Sequence, residues 1–479
     1  MRILSPYLPL VLAMTLAAAT RAEPPATSAD ERSVVVYAGG EAVRAVEATE
    51  PQPRLYALDL VDPAWLNGPR FHVAEATPLT GAFPVFAVRS DYGPMEVVGV
   101  ELLAIRVEEF QALAEVDRLS KLDVFTKSAS NSVKRTARAL RNVLSSPIET
   151  LKAVPKAIGR KARETYEDAR EGAKNLADQA REGMRNDDGD PIAANPFLPP
   201  PPPQVDYTPE EKQALREEQA KQVGKKAGLS YIGYNKARRD LSKLLGIDPY
   251  TSNPLIQVRL DELAWASLAG SVGTNLTIGA LTGGMSAVVS KSRQLNKLVW
   301  ELPEPELRKR NREALKQAGF LNSASRALIR NGAFSASLQT TYVDLVVEAR
   351  HIRGAQRLLE LGAEARDELD ARFLIQALSI ALDYQREHGA FTRVRAISNQ
   401  PVFEQGRRGL VVPAPADYLY LSAELRRFLD LEEFRNTDNV LLPRGKLSPR
   451  LAEELSIRRW DVQPAVDGQL ELPYAAHES

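Results

Sequence analysis

Two periods divide the chain. From Ser33 to about Leu113, short runs alternate apolar and polar positions or are rich in β-branched and aromatic residues: 33–38, 54–60, 71–76, 83–90 and 95–103. Turn signals separate them, at Gly39-Gly40, at Asn67-Gly68-Pro69 and at Asp91-Tyr92-Gly93-Pro94. This texture predicts a small, mostly antiparallel sheet, with the last two runs paired as a hairpin. From about Val107 the apolar spacing becomes helical. Beyond residue 208 the 3.6-residue period recurs in windows 208–228, 234–246, 253–270, 303–320, 336–352 and 365–389. Gly246, Gly319 and Gly389 stand where a C-terminal cap with positive φ belongs. After Phe391, the runs RVRAI, PVFEQ and GLVV predict a few strands, and 417–434 reads as one further helix. The fold class expected is α+β and predominantly α-helical. It comprises a small antiparallel β-rich N-terminal module, basic amphipathic helices, a proline-rich linker and a C-terminal helical module with a few strands.

Punctuation sets the expected boundaries. Residues 1–22 have the n-region, short apolar stretch and small-residue end of a secretory signal peptide, with cleavage after Ala19 or Ala22. Residues 23–120 form the β-rich module, 121–190 a basic amphipathic segment and 191–209 the linker. Residues 210–390 form the helical domain and 391–479 a C-terminal α+β segment. Five successive prolines at 199–203 favour an extended spacer, and Thr208, Pro209 and Glu211 supply the cap, first-turn proline and capping-box acid of a new helix.

Charge changes this picture in one place. The whole chain is balanced, with 62 Lys and Arg against 62 Asp and Glu, so no global field attracts an acidic partner. Residues 127–163, however, hold ten Lys or Arg and a single acid, Glu149. Val133, Ala137, Leu140 and Leu144 share one helical face there, while Pro147 and Pro155 interrupt the segment. Lys134, Arg135, Arg138, Arg141, Lys152, Lys156, Arg160 and Lys161 are the candidate contact residues for a protein partner or an anionic membrane surface. The competing reading is a helix whose apolar stripe packs on its own sheet and whose charges are solvated. Nucleic acid is not expected as a partner, because export removes it and no aromatics interleave the bases.

The run 88–125, with its Tyr-Gly hairpin turn and ALAEVDRLSK, together with SSPIETLKAVPKAIGR (145–160) and LLGIDPYTSNPLIQVRLDELAWASLAG (244–270), resembles an uncharacterised family of exported bacterial proteins. The resemblance implies an exported two-part protein and carries no activity, cofactor or site residue.

Candidate chemistry is sparse. There is no cysteine, which excludes disulfides, thiol nucleophiles, iron–sulfur clusters and the lipid-modified cysteine of a lipoprotein. The four histidines, His72, His351, His388 and His477, have no ligand spacing, and Ser286 in GMSAV lacks the second glycine of a nucleophile elbow. Asn186–Asp190 reads as a solvated turn before the linker, since a bidentate Glu is missing from the twelfth loop position. Phosphate-binding glycine loops are absent, so no cofactor is expected. Acid pairs such as Glu301/Glu304 and Asp367/Asp370 leave a carboxylate-based hydrolase as an alternative. A second alternative is a small membrane-embedded assembly through the uncharged stretch Leu263–Ser290. Its many Gly, Ser, Thr and Asn residues favour instead two buried helices broken near Gly273–Asn275. The reading reached is a non-enzymatic, periplasmic or secreted envelope protein that binds through its basic segment.

Overall fold

The computed structural model describes residues 35–38, 41–44, 49–68, 70–120, 195–200, 234–268, 298–406, 409–435 and 437–464. The basic segment, most of the proline-rich linker and the window 208–228 lie outside them, as does most of Leu263–Ser290. Residues 1–48 and 49–479 form two separate units. In the first, strands β1 (Val35–Ala38) and β2 (Glu41–Arg44) pair antiparallel.

In the second unit, β3 (Leu55–Tyr56) pairs with β6 (Ala76–Thr77). A second sheet runs β4 (Asn67–Gly68), β5 (Phe71–Val73), β8 (Phe83–Ser90), β7 (Leu79–Thr80), with β9 (Gly93–Val98) also on β8. All of these pairings are antiparallel. The β8–β9 hairpin turns where Asp91–Pro94 predicted, with Ser90 opposite Gly93. Phe86 and Val88 point into the core while Ala87 and Arg89 face out, which is the period-two pattern that made the strand legible.

Helix α1 (Val100–Ser120) starts seven residues before the expected change of period. Gly99 at φ +90° ends β9 and lets the chain reverse into the helix. The β-branched run around it had disguised that boundary. Phe71, Val73, Phe86, Val88 and Val97 of the sheet close on Leu103, Val107, Phe110 and Leu113 of α1. The rings of Phe71 and Phe110 stack at 5.2 Å.

Helices α2 (Tyr234–Leu245) and α3 (Pro254–Leu268), with the loop between them, add Leu245, Ile247, Ile256 and Leu260 to that same core. The expected boundary that assigns them to a domain of residues 210–390 therefore cuts through one packed core. The remaining helices are α4 (Glu304–Gln317), α5 (Ser323–Arg330), α6 (Ala336–Glu348), α7 (Gln356–Glu364) and α8 (Glu368–His388). Asn322, Ser335 and Asp367 cap α5, α6 and α8 through their side-chain oxygens. Gly246, Gly319 and Gly389 all adopt the positive φ expected of them.

Helix α8 lies on a five-stranded sheet ordered β10 (Arg393–Ile397), β11 (Gln400–Gln405), β12 (Gly409–Ala414), β14 (Asp438–Pro443), β16 (Asp461–Val462). The first three strands are antiparallel and the last three parallel. Parallel neighbours need crossovers, here α9 (Ala423–Leu429) and α10 (Pro449–Ile457). Between strands and crossovers, β13 (Tyr418–Leu419) pairs with β15 (Lys446–Leu447). The single helix expected over 417–434 is thus a strand, a seven-residue helix capped by Ser422, and a 3₁₀ turn at Glu432–Phe434. Tyr418 and Leu419 are claimed instead by β15, a strand partner beyond the α9 crossover.

Candidate functional site

The eight candidate basic residues, Lys134 through Lys161, fall outside the described residues, but both flanks of their segment are placed. On one side α1 ends at Ser120. On the other, the chain re-enters at Asn195, whose amide donates to the Asn399 carbonyl at 3.2 Å and to Gln400 Oε1 at 3.0 Å. Phe197 is fully buried, its ring 6.2 Å from Phe373 and 6.0 Å from Phe428. Its carbonyl accepts from Ala82 N at 3.0 Å, and Tyr418 N in turn donates to the Ala82 carbonyl.

The start of the expected spacer is therefore a plug in the main core rather than a free linker. Phe197 and Leu198 supply apolar surface, and the flanking prolines reduce the entropy lost when an extended segment is fixed. Both flanks of the segment belong to the same unit as the C-terminal sheet.

A cleft of about 320 Å³ opens beside this plug, where four distant segments meet: Gln52, the β7–β8 turn at Leu79–Ala82, Pro196–Pro200, and Leu419–Leu425. Leu198 and Pro200 provide its accessible apolar floor over the buried Ala82, Phe197 and Leu425, while Gln52, Thr80, Tyr420, Ser422 and Glu424 supply polar groups. Next to it the carboxylate of Glu50 accepts from Leu421 N and from Ser448 Oγ, each at 2.6 Å. Burial, then the charges of Glu424 and Glu50, pushes the Tyr420 hydroxyl above its ordinary pKa.

The densest charge is elsewhere, in a buried seam between α1, the Asp248–Asn253 loop and α8. Glu109, 2% exposed, accepts from Arg106 at 2.7 Å, from Asn253 at 2.8 Å and from Thr251. Arg106 also donates to Ser252 at 2.7 Å. Arg372 bridges Glu101 at 2.9 Å and Glu368 at 2.6 Å. Burial opposes the charged form of Glu368, yet Arg372, Ser252 and Arg106 together outweigh it and hold its pKa below the usual range. At the end of the seam Asp417 caps α1 by accepting from Val100 N at 2.8 Å. Burial raises the Asp417 pKa, against the pull of Arg444 and of the Val100 amide. Between Glu101, Arg372, Gln376, Asp417 and Arg444 remains a cavity of about 10 Å³, room for a single water and not for a substrate.

Glu108, next to Glu109, has its pKa raised to about 7 by burial and by its neighbour's charge. This acid and the seam residues escaped the sequence reading. Arg106–Glu109 and Glu368–Arg372 have ordinary helical spacing, but the contacts that join them into a seam, Arg106 to Thr251 and Glu109 to Asn253, span more than 140 positions and leave no local signal.

The other candidates take structural roles where they are described. Asp367 caps α8, and Asp370 holds Arg366 with both carboxylate oxygens. Glu304 pairs with Arg308 at 2.8 Å. His72 meets Asn67 on the surface, and His388 stacks on Tyr384 at 4.1 Å. His351 closes a 3₁₀ turn after α6. Among the described residues no group of three or more acids and histidines could hold a metal, and no helix is long and apolar enough to cross a membrane. His477, Ser286 and Asn186–Asp190 lie outside them, as does Leu263–Ser290 beyond the last turns of α3, where Ala264 is buried. Comparison of the chain with protein-family models, with curated proteins and with solved structures finds no match.

Proposed function

We propose that this is an exported, non-enzymatic envelope protein that docks on an anionic membrane surface through its basic segment. The one observation that carries the reading is the lopsided charge of residues 127–163, ten bases against one acid in a chain whose total charge is balanced. Each Lys or Arg near an anionic bilayer contributes about 1 kcal/mol, so engagement of half of them suffices for a stable peripheral contact. The placement of the flanks adds to this. Ser120 ends a helix packed on the N-terminal sheet, and Phe197 is buried under α8. The chain that enters the segment at Ser120 and the chain that returns at Asn195 are thus both anchored in the unit of residues 49–479.

Co-sedimentation with vesicles containing anionic lipid tests the proposal. The wild-type chain should pellet with anionic vesicles and much less with neutral ones, and high salt should release it. The variant Lys134→Glu, Arg135→Glu, Arg138→Glu, Arg141→Glu should stay in the supernatant. Equal pelleting of wild type and variant overturns the reading and leaves an envelope protein as the partner to seek.

A further inference from the structure

We propose that the cleft beside Phe197 binds an aliphatic ammonium group, the alkyl stem lying on its apolar floor and the cation held at the rim by Glu424 and Tyr420. This inference is independent of the reading of the basic segment.

The floor is preformed. Phe197 is wedged between Phe373 and Phe428, and the Ala82 backbone above it is fixed through both its N–H and its carbonyl. A cavity of about 320 Å³ is at the small end of ligand sites, the size of a short chain rather than a ring system. The rim selects the charge. Among the described residues that line the cleft there is no Lys, Arg or His, and Glu424 is the one ionised side chain. Arg427 donates a hydrogen bond to Glu424 at 3.2 Å, but both side chains are more than half exposed, so solvent weakens the pair and an ammonium in the cleft competes with Arg427 for the carboxylate.

Glu50 stands close by with a second negative charge, and both charges that act on the Tyr420 hydroxyl are acidic. An empty volume in a negative field, rich in acceptors and flanked by a tyrosine ring, suits a cation. An anion finds no cationic side chain among the described lining residues, and Ser422 already caps the first turn of α9 by accepting from Leu425 N at 3.1 Å.

Titration calorimetry on the intact purified chain tests this with three probes: 1,5-diaminopentane, N-acetyl-lysine amide and 1-pentanol. Both amines should bind and the alcohol should not, with affinity falling as salt rises. Glu424→Gln should weaken amine binding about tenfold through loss of a charge-assisted hydrogen bond, and Tyr420→Phe should weaken it less. Glu424 is exposed, so the variant should keep the wild-type circular dichroism spectrum. Tighter binding of the lysine derivative assigns the ammonium to a partner protein's lysine, and tighter binding of the diamine assigns it to a free amine. Absence of binding by either amine at about 10 mM, equal binding of 1-pentanol, or unchanged binding in Glu424→Gln overturns the proposal.

Discussion

Within the unit of residues 49–479, strands β3–β9 and α1 meet the C-terminal helices and sheet at two places of opposite chemistry. At one, Ala82, Phe83 and Phe197 sink into an apolar core with Phe373 and Phe428. At the other, Glu101, Arg106 and Glu109 meet Thr251, Asn253, Glu368 and Arg372 in a buried ionic seam. The apolar joint gains from every square ångström it hides, whatever the pH. The ionic joint must first recover the desolvation of its charges, so it fixes one register between α1 and α8 more than it adds stability. Apolar burial holds the parts together, and the ionic seam selects how they meet.

Breaking the ionic joint from one side should have the largest effect. Glu109→Ala strands the buried Arg106 guanidinium and should cost about 3–5 kcal/mol in urea unfolding of the full chain. Replacing the pair together, Arg106→Met with Glu109→Leu, should restore most of that loss. If the double variant is as unstable as the single one, the seam contributes net stability and the contrast between the joints fails. The apolar joint is probed by Phe197→Ala, expected to cost about 3 kcal/mol, with unfolding midpoints that move in parallel with wild type from pH 5 to 8.

Glu108 gives the smallest and most pH-dependent effect. Its folded pKa of about 7 lies above the ordinary 4.5, so the fold favours the neutral acid. Its contribution is present below pH 4.5 and is lost as pH rises through 7. Glu108→Gln should therefore stabilise the chain by about 2 kcal/mol at pH 8 and leave it nearly unchanged at pH 5. A variant that melts like wild type at both pH values would show that Glu108 is ordinary and solvated.

Local pattern was enough wherever an element answers to its own sequence. The FPVFAVRS strand, the turn after Ser90 and the glycine ends of helices α2, α4 and α8 were all readable, because side-chain alternation and positive φ are properties of a few adjacent residues. What escaped depends on distance. The start of α1 is hidden in a β-branched run and capped by Asp417. The short helices α5 and α7 offer too few turns for a period to emerge, and the strand Asp438–Pro443 is defined by parallel neighbours rather than by alternation. The NPFLPP stretch looked like a spacer because proline dominates its composition, while a single phenylalanine decides its fate. Of the cleft and the seam almost nothing was legible, since each is assembled from segments that share no sequence neighbourhood.

The Asp417 cap also imposes an order in time. The amide it binds, Val100 N–H, is made 317 positions earlier, and Ser448 reaches Glu50 across 398. At ~5–20 residues per second of synthesis, the opening turn of α1 waits on the order of tens of seconds for its partner. The opening turn of α1 is thus among the last parts to be completed, and a truncation that removes the chain from Asp417 onward should leave it uncapped.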